Sequence, residues 1–155
     1  MEIDEVRTSI GDIRMTRLHR RSVADLEPDE VRLAVEGFAL TANNVTYAAT
    51  GPVIGYWKFF PTSDPTEGIV PVWGFARVTK SLSPHLAVGD RVYGFLPMAS
   101  HLTLRPEPAG KQALIDRTVH RRDLPPVYNL YQRSKDHDPE QDASRAIFQP
   151  LMVTS

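Results

Sequence analysis

The chain of 155 residues contains no cysteine, which removes disulfides, thiolate metal ligands and cysteine nucleophiles together. It also lacks any long apolar run. The N-terminal stretch carries a charge every few positions, and nothing approaches the ~18 consecutive apolar residues of a spanning helix. Neither a secretory signal nor a membrane span is expected, and the cytoplasm is the expected location. Asn44-Val45-Thr46 formally matches a glycosylation acceptor, but without a secretory signal it reads as chance. Charge of one sign is missing as well. Lys and Arg number 18 against 19 Asp and Glu, a net of −1, so no global field recruits nucleic acid or an anionic membrane. The basic cluster at 14–21 is followed by Asp25, Glu27, Asp29 and Glu30 and reads as a solvated, charge-balanced edge.

The common catalytic signatures are absent too. There is no Gly-x-Ser-x-Gly, and Gly110-Lys111 is followed by Gln112 without the earlier glycine of a phosphate-binding loop. No Gly-x-Gly-x-x-Gly occurs anywhere, so no pyrophosphate cradle at a helix N-terminus is expected. His19, His85, His101, His120 and His137 never fall two or four positions apart, so local spacing supports no metal site. His137, between Asp136 and Asp138, reads as a solvated loop.

What is present is one ordinary globular domain, rich in proline (13) against 9 glycines, which argues for turns and extended segments over a helical bundle. Val31 to Glu36 alternates like a strand ending at Gly37, and Thr46 to Thr50 suits a short helical turn closing at Gly51. Thr41 and Asn43 are cap or turn formers. Residues 61–68 form a polar loop. The nearly continuous apolar stretch 69–79 reads as a strand covered on both faces, with Pro71 and Gly74 at an edge, bend or bulge. Gly89-Asp90 turns into a strand through Val92 and Phe95, and residues 101–106 form another. Short strands at this spacing predict a β-barrel or sandwich over about 30–106. Beyond Pro106 the chain reads as irregular, with a weak helical stripe over 111–119 and a capped short helix from Asp138 to about Phe148.

Residues 47–75 hold Tyr47, Tyr56, Trp57, Phe59, Phe60, Trp73 and Phe75 with one basic residue among them, Lys58. A nucleic-acid stacking surface needs a basic groove beside the rings, so the rings are either core or the wall of an apolar pocket. Tyr56 and Trp57, after Gly55 and before a cation, are the better pocket candidates. Asn43, Asn44, Thr46, Tyr47, Tyr56, Trp57 and Lys58 together form a polar–aromatic group able to hydrogen-bond a carbonyl and supply a proton to a developing alkoxide or enolate. Satisfying a barrel core and its rim explains each residue equally well.

Gly37-Phe-Ala-Leu-Thr-Ala-Asn-Asn-Val-Thr-Tyr-Ala-Ala-Thr-Gly51 and Ile54-Gly-Tyr-Trp-Lys-Phe-Phe-Pro61 resemble the bacterial DUF2855 family. The stretch from Pro71 to Pro97, with Val88-Gly-Asp-Arg-Val-Tyr-Gly-Phe95, resembles the GroES-like catalytic domain of medium-chain dehydrogenases/reductases. Leu124-Pro-Pro-Val-Tyr-Asn129 and Phe148 to Ser155 extend the likeness. The resemblance implies a mainly β, partly open GroES-like barrel with a few short helices and an irregular C-terminal extension. Its segments would be 1–27 packed on the barrel, 28–106 as barrel core, and 107–155 leading toward a nucleotide-binding half. It further implies a zinc-independent, NAD(P)H-dependent oxidoreductase with NADP as cofactor and a small hydrophobic carbonyl, enone or quinone compound as substrate. Asn43–Thr46 lacks the zinc-branch cysteine, and Trp73-Gly74-Phe75 stands where that branch has Gly-His-Glu. On this basis Tyr47, Tyr56 and Lys58 are candidate catalytic donors, Asn43 and Thr46 candidate cofactor contacts, and Trp57 and Asn44 candidate substrate contacts. No metal, nucleic-acid or membrane partner is expected, and a homo-oligomer is possible through a barrel face left uncovered. The alternative is a non-catalytic module binding a small molecule or a protein.

Overall fold

The computed structural model describes residues 1–135 together with 142, 145 and 146. The N-terminus is an antiparallel hairpin of β1 (Glu2–Ser9) and β2 (Thr16–Ser22), and the two-residue β4 (Glu67–Gly68) pairs with the other edge of β1. The basic cluster lies on exposed β2, as a solvated edge. Its counter-charges are not the acids of 25–30, however. The hairpin register sets Asp4 opposite Arg20, and the ion pairs are Arg20–Asp4, Arg21–Glu5, Arg17–Glu67 and Arg14–Asp12.

The remaining strands form one nearly closed, barrel-shaped antiparallel sheet. They are β3 (Val31–Ala39), β5 (Pro71–Ser81), β6 (Arg91–Pro97), β7 (His101–Leu104), β8 (Pro106–Pro108), β9 (Ala113–Asp116) and β10 (Leu130–Ser134), in the order β7-β3-β5-β6-β10-β9-β8. β6 is buried along its whole length, as a strand covered on both faces should be. β3 does not stop at Gly37. A register shift between Val35 and Gly37 bends it, and it pairs on to Ala39. Gly74 sits opposite that bend, where a Cβ would lie 2.1 Å from the Gly37 carbonyl oxygen. Glycine is what lets the two backbones approach.

Two expectations need correcting. The sheet runs on past residue 106, and 111–119 holds strand β9 in place of a helical stripe. Leu114 and Asp116 are buried while Ala113 and Ile115 are half-buried, the period of two that pairing with β10 imposes. The helical turn expected over 46–50 is a longer helix, α1 (Ala42–Ile54). Gly51 does not end it; Gly55 does, at φ 91° in the left-handed region, with its N–H on the Gly51 carbonyl at 2.8 Å. Of the helix expected from 138 to 148, Asp142, Arg145 and Ala146 are helical. Its other residues, with His137 and the stretch 148–155, lie outside the described residues.

The barrel interior is largely aliphatic, built from Val31, Leu33, Val72, Ala76, Val78, Val92 and Leu96, with Tyr131 among them. Beside it, under α1, lies a second core that is almost wholly aromatic: Tyr47, Tyr56, Phe59, Phe60, Trp73, Phe75, Tyr93, Phe95 and Tyr128. The rings of 47–75 therefore serve as core. A smaller group of Ala48, Trp57 and Val70 joins helix to sheet.

Candidate functional site

All seven residues singled out in the sequence fall on α1 or on the 3₁₀ turn Tyr56–Lys58 that follows it. The start of α1 is closed by Thr41 and Asn44. The Thr41 hydroxyl accepts from the Asn43 N–H at 3.3 Å, and the Asn44 carboxamide oxygen accepts from the Thr41 N–H at 2.6 Å. Asn44 then donates its Nδ2 to the Pro71 carbonyl at 2.9 Å. Both ends of that amide are spent, one capping the helix and the other tying it to the sheet. Asn43 is half-buried and Thr46 is exposed, with its hydroxyl on the Ala42 carbonyl.

Tyr47 and Tyr56 are brought together, their ring centroids 4.6 Å apart. The Tyr47 hydroxyl accepts from the Trp73 indole N–H at 3.1 Å, and the Tyr56 hydroxyl shares a hydrogen bond of 3.1 Å with that of Tyr128. Phe59 and Phe95 pack around the Tyr128 ring, at centroid distances of 5.4 and 4.8 Å. Burial pushes the Tyr47 and Tyr128 phenols above the usual tyrosine range, with the Tyr56 hydroxyl bond adding to the rise at Tyr128. Near neutral pH these two phenols stay protonated. They can donate a hydrogen bond to a carbonyl oxygen but are poor bases. Tyr128 and Trp73 were not singled out in the sequence, although Tyr128 lies in the stretch 124–129 that carries the family likeness.

The other two residues diverge. Trp57 is buried, its five-membered ring edge against Gly51 and its six-membered ring against Gly68. Its indole N–H has no partner among the described residues. Lys58 is exposed at the end of the 3₁₀ turn. A cavity of about 230 Å³ exists elsewhere, between the N-terminal hairpin and the outer face of β3 and β7, and none of the seven residues lines it.

The fit to a dinucleotide is poor. The N-terminal amides of α1 are engaged by their own caps, and the chain has no glycine-rich turn, so the described residues give no cradle for a pyrophosphate. No cluster of three or more His, Asp or Glu suited to a metal occurs among the described residues. No described helix is long and apolar enough to cross a membrane.

The architecture defines a class by its fold: a nearly closed, barrel-shaped antiparallel sheet with one helix laid over an aromatic core. Over its whole length the chain superposes on 43% of the human synaptic vesicle membrane protein VAT-1 homolog-like protein, with a TM-score of 0.55 and 17% identity, a likeness of fold. A structure assigned as an NADPH:quinone reductase from Bacillus thuringiensis matches 77% of this chain and 34% of its own length, at 11% identity and a TM-score of 0.49. The chain thus spans less than half the length of either protein. Comparison with curated proteins gives no match. Residues 38–155 match the family model described as "Protein of unknown function (DUF2855)". The chain belongs to that family.

Proposed function

We propose that this chain forms the substrate-binding side of a zinc-independent oxidoreductase that uses NADPH on a small hydrophobic carbonyl compound, such as an enone or quinone. The observation that carries the reading is the cluster of phenol hydroxyls under α1. Tyr56 reaches Tyr128 at 3.1 Å in an aromatic setting that keeps Tyr128 protonated, the state in which a phenol donates to a carbonyl oxygen. Tyr47 and Tyr56 are the donors in this reading, and Lys58 supplies positive charge at the rim. Trp57 and Asn44 hold the frame against the substrate. Asn43 and Thr46 stand on the outer side of α1, where a cofactor held by another body would pass. The described residues do not grip the dinucleotide themselves, so no hydride step is assigned to them.

The experiment takes the protein at the length its own cells make, and follows NADPH consumption against a panel of enones and quinones. Substrate-dependent oxidation is expected, with Tyr56→Phe lowering kcat by about 10²-fold, the size of losing one oxyanion donor. A folded wild type that consumes no NADPH with any member of the panel overturns the reading.

A second reading rests on a different observation. α1 contains no charged residue, and Leu40, Val45, Val53 (90% exposed) and Ile54 stand on the surface. An uncharged apolar face of this kind suits a protein–protein contact, including a homo-oligomer, in a non-catalytic module. Val53→Asp should then lower the sedimentation mass of the assembly; a wild type that sediments as a monomer at every concentration removes this reading.

A further inference from the structure

The register of β3 on β7 sets Arg32 opposite Thr103 and Ala34 opposite His101. Val31, Leu33, Leu102 and Leu104 of the same strands face the barrel core, so Arg32, Thr103 and His101 lie on the outer face. The N-terminal hairpin roofs that face, and the cavity of about 230 Å³ lies between them. Its apolar walls include Ile3, Phe60 and Ile69.

Arg32 is 7% exposed, and a buried guanidinium ordinarily has a carboxylate against it. This one has only neutral partners. Nε donates to the Thr103 hydroxyl at 3.0 Å and Nη2 to the Ala24 carbonyl at 2.9 Å, while Nη1 meets just the Met1 thioether sulfur at 3.5 Å, a weak acceptor. No ion pair reaches Arg32 among the described residues. Beside it, His101 spends Nδ1 on the Ser100 hydroxyl at 2.9 Å, and its Nε2 has no hydrogen-bond partner among the described residues. Arg121, also in the cavity wall, is neutralised by Asp116 at 2.5 Å.

The wall's own carboxylates are already engaged. Glu5 is bound by Arg7 and Arg21, both at 2.9 Å, and Glu30 by Arg105 at 3.4 Å and by the Glu27 N–H at 2.9 Å. A buried cation facing a small cavity with apolar walls lacks its counter-ion.

We propose that this cavity is a binding site for a small organic carboxylate, whose anionic head takes the Nη1 edge of the Arg32 guanidinium and whose apolar body lies against Ile3, Phe60 and Ile69. The volume is below the ~300–1,000 Å³ of drug-sized ligand sites, so the ligand is small. None of the phenols under α1 lines this site, although Phe60 and Ile69 border both, and most of its roof comes from residues before 38, where the family match begins.

The probe is benzoate, with phosphate and chloride at matched ionic strength as controls. Benzoate should raise the wild-type unfolding temperature along a saturating curve, as mass action requires of a ligand bound by the folded state alone. Arg32→Met should abolish that rise. In the wild type, an NMR titration should move the Arg32 side-chain Nε–H and the backbone amides of His101 and Thr103 first; this readout decides the matter if Arg32→Met fails to fold. A rise that follows ionic strength alone, one that persists in folded Arg32→Met, saturation by phosphate without benzoate, or shifts mapping elsewhere would each overturn the proposal.

Discussion

Gly51 should resist replacement by alanine even though it lies inside a helix. Taken alone, Gly→Ala in a helix interior gains about 1 kcal/mol from propensity. Here the new Cβ would sit 2.2 Å from the Trp57 Nε1, 2.4 Å from its Cδ1 and 2.8 Å from its Cε2. The indole has no room to retreat, because on its other side Cε3 lies only 2.1 Å from where a Cβ on Gly68 would stand. Overpacking of this kind costs about 1–3 kcal/mol, and a ring blocked on both sides belongs at the upper end. The clash outweighs the propensity gain, and Gly51→Ala should lose about 1–2 kcal/mol net. That corresponds to roughly 2–8 °C in Tm for a chain of this size. With Trp57→Leu the obstacle is gone and the sign should reverse, Gly51→Ala then stabilising by up to about 1 kcal/mol. Urea unfolding of the four proteins, followed by far-ultraviolet circular dichroism so that loss of the tryptophan does not alter the signal, gives the coupling energy. A stabilising Gly51→Ala in the wild type, or the same effect in both backgrounds, refutes the reasoning.

Asp116→Asn should cost about 3–5 kcal/mol of unfolding free energy measured in urea, because it strips the charge facing Arg121, which is 1% exposed; adding Arg121→Met should recover part of the loss. Burial, reinforced by Arg32 at one ring and Arg121 at the other, holds the His101 and His120 imidazoles below the ordinary 6.5. The unfolded chain takes up these protons first, so the two rings contribute stability that is present above about 6.5 and lost as pH falls below it. A His101→Gln, His120→Gln double variant should show a shallower acid slope in its urea midpoint than the wild type, and an unchanged slope counts against this assignment.

Much of the barrel could be read from local pattern. β5, β6 and β7 follow from their apolar runs and the Gly89-Asp90 turn, since a buried strand writes its burial into its own residues. β9 and β10 do not, because each is short and its strand character comes from the partner across the ladder. Gly51 misleads for a related reason. As a helix stop it is a familiar signal, and only the tertiary contact with Trp57 reveals that its small size serves packing. The candidate site divides the same way. Tyr47 and Tyr56 stand out as an aromatic run, whereas Tyr128 reaches them from across the fold, and Arg32 looks like an ordinary strand-face cation until the hairpin covers it.

The seating of β10 between β6 and β9 has a consequence for how the chain is made. A nascent chain emerging in order completes β6 early, yet one edge of that strand stays bare until Gln132, Arg133 and Ser134 arrive to pair with Tyr93, Val92 and Arg91. Until then the Phe95 carbonyl also waits for the Tyr131 hydroxyl that will bind it at 2.6 Å. An unpaired edge on a strand whose every residue is destined for burial is a template for the wrong neighbour. A ribosome paused before residue 130 would hold an open, sticky half-barrel whose exposed edge persists until β10 is made.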